Sequence, residues 1–214
     1  MNEQVAANSL GTERVGKLMV RYAIPSIVSI VVNSLYNMVD QIFIGQGVGY
    51  LGNAATNIIL PLTSILLALG MMIGDGAASY MSLSLGKGRT EDAAQGVGNA
   101  VALTVGVSVV LLVLFELFLE PLCHLFGATE GNLPYALEYG SIIVLGFPFA
   151  MIDAAFGSII RADGRPKVSM IGLLIGCATN MILDPIFIFV CHWGVKGAAW
   201  ATIIGQILNA VYFA

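Results

Sequence analysis

The residues best equipped for chemistry lie where charge is least expected. Asn180-Met181-Ile182-Leu183-Asp184-Pro185 sets a carboxylate, an amide and an imino acid inside residues 168–190, a stretch that is otherwise apolar. A charged Asp near the middle of a bilayer costs about 2.5 to 3.5 kcal/mol by insertion scales, so an acid in that position is read as functional. Asn180 and Asp184 are four residues apart and share a helix face. Pro185 has no N–H to give to the carbonyl of Met181, which frees a backbone oxygen beside the carboxylate. The expected product is a small oxygen-rich pocket.

A second acid sits in a similar frame. Asp40-Gln41-Ile42-Phe43-Ile44 matches Asp184-Pro185-Ile186-Phe187-Ile188, and each is followed by a Gly-rich loop and a similar next segment. If this is an internal repeat and not chance, Asn57 and Thr202 occupy equivalent positions. Two convergent carboxylates titrate as a coupled unit, and protonation and cation binding then compete for the same oxygens. Such a pair is an energy-coupling device.

The elements that must position these groups are membrane spans. Of the 214 residues, 57% are hydrophobic and only 10% are charged, with a mean hydropathy of +0.88, which excludes an ordinary soluble globular chain. Six apolar stretches are long enough to cross a bilayer at about 20 residues each: 22–45, 53–74 running on toward 85, 93–119, 134–160, 168–190, and 197 to the end. Arg14, Lys17 and Arg21 precede the first, Lys87 and Arg89 follow the second, and Arg161, Arg165 and Lys167 follow the fourth, leaving Lys196 for the opposite side. The positive-inside rule makes the N-terminus cytoplasmic. The expected organisation is a cytoplasmic tail over residues 1–21 and a six-helix transmembrane lobe over 22–214, truncated in or at the end of the sixth helix, since no basic residue closes that span.

Depth along the helices decides which polar groups can meet. Counted from the cytoplasmic ends, Asp40 lies about 27 Å from Tyr22 and Asp184 about 24 Å from Val168, while Thr202 lies about 8 Å inward from Gly197. Asp40, Asn180, Asp184 and Thr202 are therefore free to converge in the outer half. On the first span Ser26, Ser29, Asn33, Tyr36, Asn37 and Asp40 form one polar stripe, which must face a helix interface or a water-accessible cavity. Interfaces favour smaller residues, so the cavity is the reading taken here, with Ser29, Asn33, Tyr36, Asn37, Asn57 and Gln206 lining it. Thr202, Gln206 and Asn209 share a face of the sixth span. Asp75 lies about 33 Å along its helix from Asn53 and reads as a gate or loop anchor near the inner interface. Asp153 is two turns from Arg161 and is assigned either to pairing with it or to a functional role. The pairs Cys123-His124 and Cys191-His192 lack the spacing of a zinc site, so no metal is expected.

Taken together, the chain resembles the bacterial branch of the multidrug and toxic compound extrusion (MATE) family. The resemblance is carried by Pro25, by the run from Asn33 through Asp40 to Gly45, by Arg161-Ala162-Asp163-Gly164-Arg165-Pro166-Lys167, by Asn180 to Pro185, and by Gly197-Ala198-Ala199-Trp200-Ala201-Thr202. It implies one of two six-helix lobes related by a pseudo-twofold axis along the membrane normal, with a drug cavity between them. It also implies a cation site at Asp40, Asn180, Asp184 and Thr202. The fourth helix departs from the family, showing Asp153 and Gly157 where members often carry Asn.

The resulting expectation is an all-α polytopic bundle, the N-terminal lobe of an antiporter in the bacterial inner membrane. It would export amphipathic, mostly cationic small molecules against H+ or Na+, with no other cofactor and no nucleic-acid partner. Its partners are the lipid bilayer and a missing C-terminal lobe or a second copy of itself. A flippase of the related lipid-exporting families would line its cavity with basic residues, and the first-span stripe carries none. An intramembrane aspartyl protease would resemble Gly-x-Gly-Asp, which Met72-Ile73-Gly74-Asp75 fails at its first position.

Overall fold

The computed structural model describes residues 14–213, which form an all-α bundle. Helices α1 (Val15–Gly47) and α2 (Tyr50–Gly86) are 33 and 37 residues long. They are followed by α3 (Thr90–Leu117), the short α4 (Leu119–Leu125), α5 (Leu133–Leu145), α6 (Phe147–Ala162), α7 (Pro166–Pro185), a π-helical turn over Ile186–Val190, and α8 (Val195–Phe213). Four helices are long and apolar enough to cross a membrane: α1, α2, α3, and α7 together with its π turn. The α5–α6 pair makes a fifth span bent by 55°. The sixth expected span is α8, whose 19 residues rise about 28 Å.

The boundaries depart from the hydropathy reading in three places. Helix α1 already begins at Val15, ahead of the apolar run, because nothing in Val15–Arg21 opposes helix. Helix α2 does not end near Gly74-Asp75-Gly76 but continues to Gly86. Gly74 is there for contact, since a Cβ on it would stand 2.7 Å from the backbone of Ala155 in α6. The fourth span breaks at Gly146 because Pro148 has no N–H for the carbonyl four residues back, which opens the ladder where the chain turns.

Close approach of backbones also sets the other half of the lobe. At the crossing of α7 and α8, a Cβ on Gly205 would lie 2.7 Å from the carbonyl oxygen of Gly176, so only hydrogen fits there. The turn between α6 and α7 has Gly164 at φ 84° followed by Arg165 and Pro166, as the Asp-Gly-Arg-Pro sequence predicts. A core of Ile59, Leu62, Leu66, Val144, Phe147 and Met151 fills the space among α2, α5 and α6. Helix α3 covers this side with a small-residue face, Ala93, Ala100, Thr104 and Ser108, all buried. The remaining faces carry large exposed apolar side chains, among them Ile27, Ile30, Leu35, Val110 and Leu117. For a bundle of this composition, that is a lipid-facing surface.

The repeated segments meet in space. Ile44 and Ile188 are buried in one cluster with Ala198, and the Phe43 and Phe189 rings contact edge to face at 6.2 Å. These contacts dock the end of α1 against the π turn and bring the two preceding acids, Asp40 and Asp184, to the same level.

Candidate cation site and cavity

Three helices supply the site. Helix α1 contributes Tyr36 and Asp40 one turn apart, α7 contributes Asn180 and Asp184 one turn apart, and α8 contributes Thr202. The Asp40 and Asp184 side chains stand close enough to interact directly, although their residues are only 7% and 0% exposed. The Asn180 amide, oriented with its nitrogen toward Asp184, donates to Asp184 Oδ2 at 2.6 Å. Its oxygen then accepts from both the Thr202 hydroxyl and the Thr202 backbone N–H at 3.1 Å. Tyr36 and Thr202 line the same cavity beside the acids.

Two further residues complete the shell. Gln41 Nε2 donates to Asp40 Oδ2 at 3.3 Å, and the Thr56 hydroxyl on α2 has two acceptors for its one proton, the Asn53 carbonyl at 2.9 Å and Gln41 Oε1 at 3.2 Å. Neither stood out in the sequence. Gln41 is the neighbour of an acid and Thr56 one polar residue among several, and only the α1–α2 packing joins them.

The electrostatics of the pair are one-sided. Ion pairs among the described residues are Arg89–Asp92, Arg165–Asp163 and Lys196–Glu138, and none reaches Asp40 or Asp184. Asp40 Oδ1 and Asp184 Oδ1 are both buried without a hydrogen-bond donor. Two buried carboxyls in contact cannot both remain unpartnered anions, since buried charges must be paired and buried acceptors satisfied. A proton or a small cation between them meets both needs, while Asn180 bridges Asp184 to Thr202.

The site opens into a cavity of about 790 Å³, within the size range of small-molecule sites. Asn33, Tyr36, Asn37, Asn57 and Gln206 line it, as do Asp153 and Tyr139. Ser29 is half-buried on α1 and is not among the lining residues, the wall beginning one turn further on at Asn33. Asn57 is exposed and donates to the Asn53 carbonyl of its own helix at 2.7 Å, so it does not join the acids as Thr202 does. Asp75 is exposed at the end of the bundle that carries Arg161, in a separate recess with Ser79 and Ser158. Arg161 does not pair with Asp153: it donates to Ser158 Oγ at 3.0 Å and to Ser169 Oγ at 3.3 Å, tying α6 to α7. Cys123 is buried and Cys191 exposed, and both are free.

Known proteins share this arrangement of helices and about a third or less of its sequence. The family model MatE matches residues 25–186. Multidrug export protein MepA of Staphylococcus saprophyticus is 30% identical over 206 residues, covering 92% of this chain and 44% of that protein. MepA of Staphylococcus aureus is 29% identical over 199 residues, with the same two coverages. Among solved structures, the crystal structure of a MATE protein in the bent conformation superposes with a TM-score of 0.86 at 27% identity, over 93% of this chain and 44% of that one. An outward-facing multidrug resistance MATE family transporter gives 0.84 at 28% identity, over 92% and 44%. The chain thus spans less than half the length of the relatives it matches.

Proposed function

Because the chain belongs to the MatE family, we propose that it is the N-terminal lobe of a cation-coupled antiporter, with Asp40, Asn180, Asp184 and Thr202 holding the coupling H+ or Na+. The observation that carries this reading is the close approach of two buried acids, each with one oxygen that has no donor. A proton or cation that enters neutralises the pair. Its departure leaves two adjacent anions, so the unloaded site favours any rearrangement that separates α1 from α7 or admits another cation. That differential is what couples an ion to a conformational change.

The exported compounds are amphipathic and mostly cationic, in keeping with the multidrug export for which the relatives are named and with a cavity that mixes acids, tyrosines and apolar walls. Asn33 and Asn37 remain exposed along the open side of α1. A second lobe, from the same polypeptide or a second copy, closes that side. The positive-inside rule, applied to the basic residues that precede the first span and follow the second and fourth, supports a cytoplasmic N-terminus in a bacterial inner membrane.

The test is ion-dependent stability of the purified chain in lipid nanodiscs. Na+ at constant ionic strength, or a change of pH, should raise the unfolding temperature, and Asp184→Asn should abolish the response. A chain whose stability is indifferent to both ions, or a variant that responds as the original does, would remove the site.

A further inference from the structure

The cavity holds a third acid that the coupling site does not use. Asp153 comes from the middle of α6 and interacts with Asn209 of α8 in the same cavity wall. Asn209 reaches it across the face of α7, where Gly172 and Gly176 leave room. A Cβ on Gly172 would collide with Asn209 Oδ1, and one on Gly176 would stand 3.6 Å from Asn209 Cβ. Three helices therefore shape this position.

Its polar atoms are unbalanced in one direction. Asp153 Oδ1 and Asn209 Oδ1 are both buried and both lack a donor. Arg161, eight residues on in the same helix, directs its guanidinium back to Gly157, one turn from Asp153, but spends it on Ser158 and Ser169. No described side chain donates to either of these two oxygens.

The position is also separate from the coupling site. Asn209 and Thr202 lie seven residues apart on α8, about 10 Å along the cavity. Between and around them the wall carries Leu60, Leu67, Met71, Tyr36 and Phe213.

We infer that Asp153, held by Asn209, is a substrate-recognition position that takes the protonated amine of an amphipathic organic cation. Once ionised, the Asp153 carboxylate and the amide oxygen offer acceptors only, so the group that stabilises that form must bring N–H donors together with positive charge. A metal ion would require a fuller set of oxygens, and the described residues contain no acid and histidine cluster that could provide one. The apolar remainder of the molecule lies against the Leu, Met and aromatic wall. This assignment rests on the proposal that the cavity admits such compounds, and it adds which acid recognises them.

The experiment uses monodansylcadaverine, a fluorescent primary amine, and its N-acetylated neutral twin, titrated by anisotropy against the purified chain in nanodiscs at neutral pH. The chain should bind the amine at least about tenfold more tightly than the twin, the discrimination of one charge-assisted hydrogen-bonded contact. Asp153→Asn, which keeps the side-chain shape, should erase that preference while leaving the twin's Kd unchanged, and Asn209→Ala should narrow it. Asp184→Asn should lose ion-dependent stabilisation yet keep the amine preference. The inference is overturned if the unsubstituted chain shows no preference, if Asp153→Asn weakens both probes alike, or if the preference disappears with Asp184 and survives without Asp153. The last result would place the amine at the coupling site and leave the proposed antiport intact.

Discussion

If Asp40 and Asp184 hold one ion between them, replacing either should remove most of what that ion contributes, and replacing both should cost little more. At about a hundred times its Kd, a ligand stabilises the folded chain by about 2.7 kcal/mol. Each carboxyl is buried, and each supplies a contact to the ion of the charge-assisted kind, worth about 1.5 to 3 kcal/mol. Losing one such contact leaves roughly 0.3 to 1.3 kcal/mol of ion-dependent stabilisation at the same ion concentration. Two independent losses of that size would together exceed the roughly 2.7 kcal/mol that is available, so the cycle must be strongly non-additive. The assay is denaturant or thermal unfolding of the chain in nanodiscs, with and without whichever ion stabilises it, for Asp40→Asn, Asp184→Asn and the double variant. Single losses that sum to the double loss within about 0.3 to 0.5 kcal/mol would mean two separate sites, and the shared pair would have to be given up.

Helix packing sets the remaining outcomes. Gly205→Leu should destabilise the chain by about 1 to 3 kcal/mol, because its side chain meets the Gly176 backbone at the α7–α8 crossing. Gly106→Ala, on an exposed face of α3 with nothing within 4 Å of the new Cβ, should instead stabilise it by up to about 1 kcal/mol, and unfolding curves of the two compare them directly. Asp75→Asn should leave ion-dependent stabilisation unchanged, since Asp75 faces a different recess from the acid pair; loss of that response would contradict the placement. Lys196→Ala breaks a 2.6 Å ion pair with Glu138 between α8 and α5, both half-exposed, and should cost no more than about 1 kcal/mol in the same unfolding assay, less at high salt.

The convergence of Asp40, Asn180, Asp184 and Thr202 was legible in the sequence because helical rise is nearly constant and the turns reset depth at known positions. The Asp-x-Ile-Phe-Ile match was informative for a reason it did not itself reveal: Ile44 and Ile188 pack on each other and so level the acids that precede them. Its suggested equivalence of Asn57 and Thr202 does not carry through to contacts, because Asn57 turns back on its own helix. The bend at Gly146 was hidden, since a proline can as easily begin a helix as break one, and both descriptions hold for Pro148. Asn209 was visible as part of a polar face, but its partner was not. Of the two readings open for Asp153, a pairing with Arg161 or a functional role, the first does not hold: Asp153 turns across to α8, and Arg161 to the two serines. Lateral partners of this kind depend on which helices cross and on how far glycines let them approach, neither of which periodicity encodes.

The central claim is that two acids share one exchangeable ion, and infrared difference spectroscopy of the carboxyl region addresses it most directly. Spectra of the chain in nanodiscs would be recorded as Na+ replaces K+ and as pH is stepped, for the original chain and for Asp40→Asn and Asp184→Asn. A shared ion predicts one protonated-carboxyl band that responds to the ion and is missing from both variants. A band that persists in both, or a carboxyl region that does not change with either ion, would contradict it.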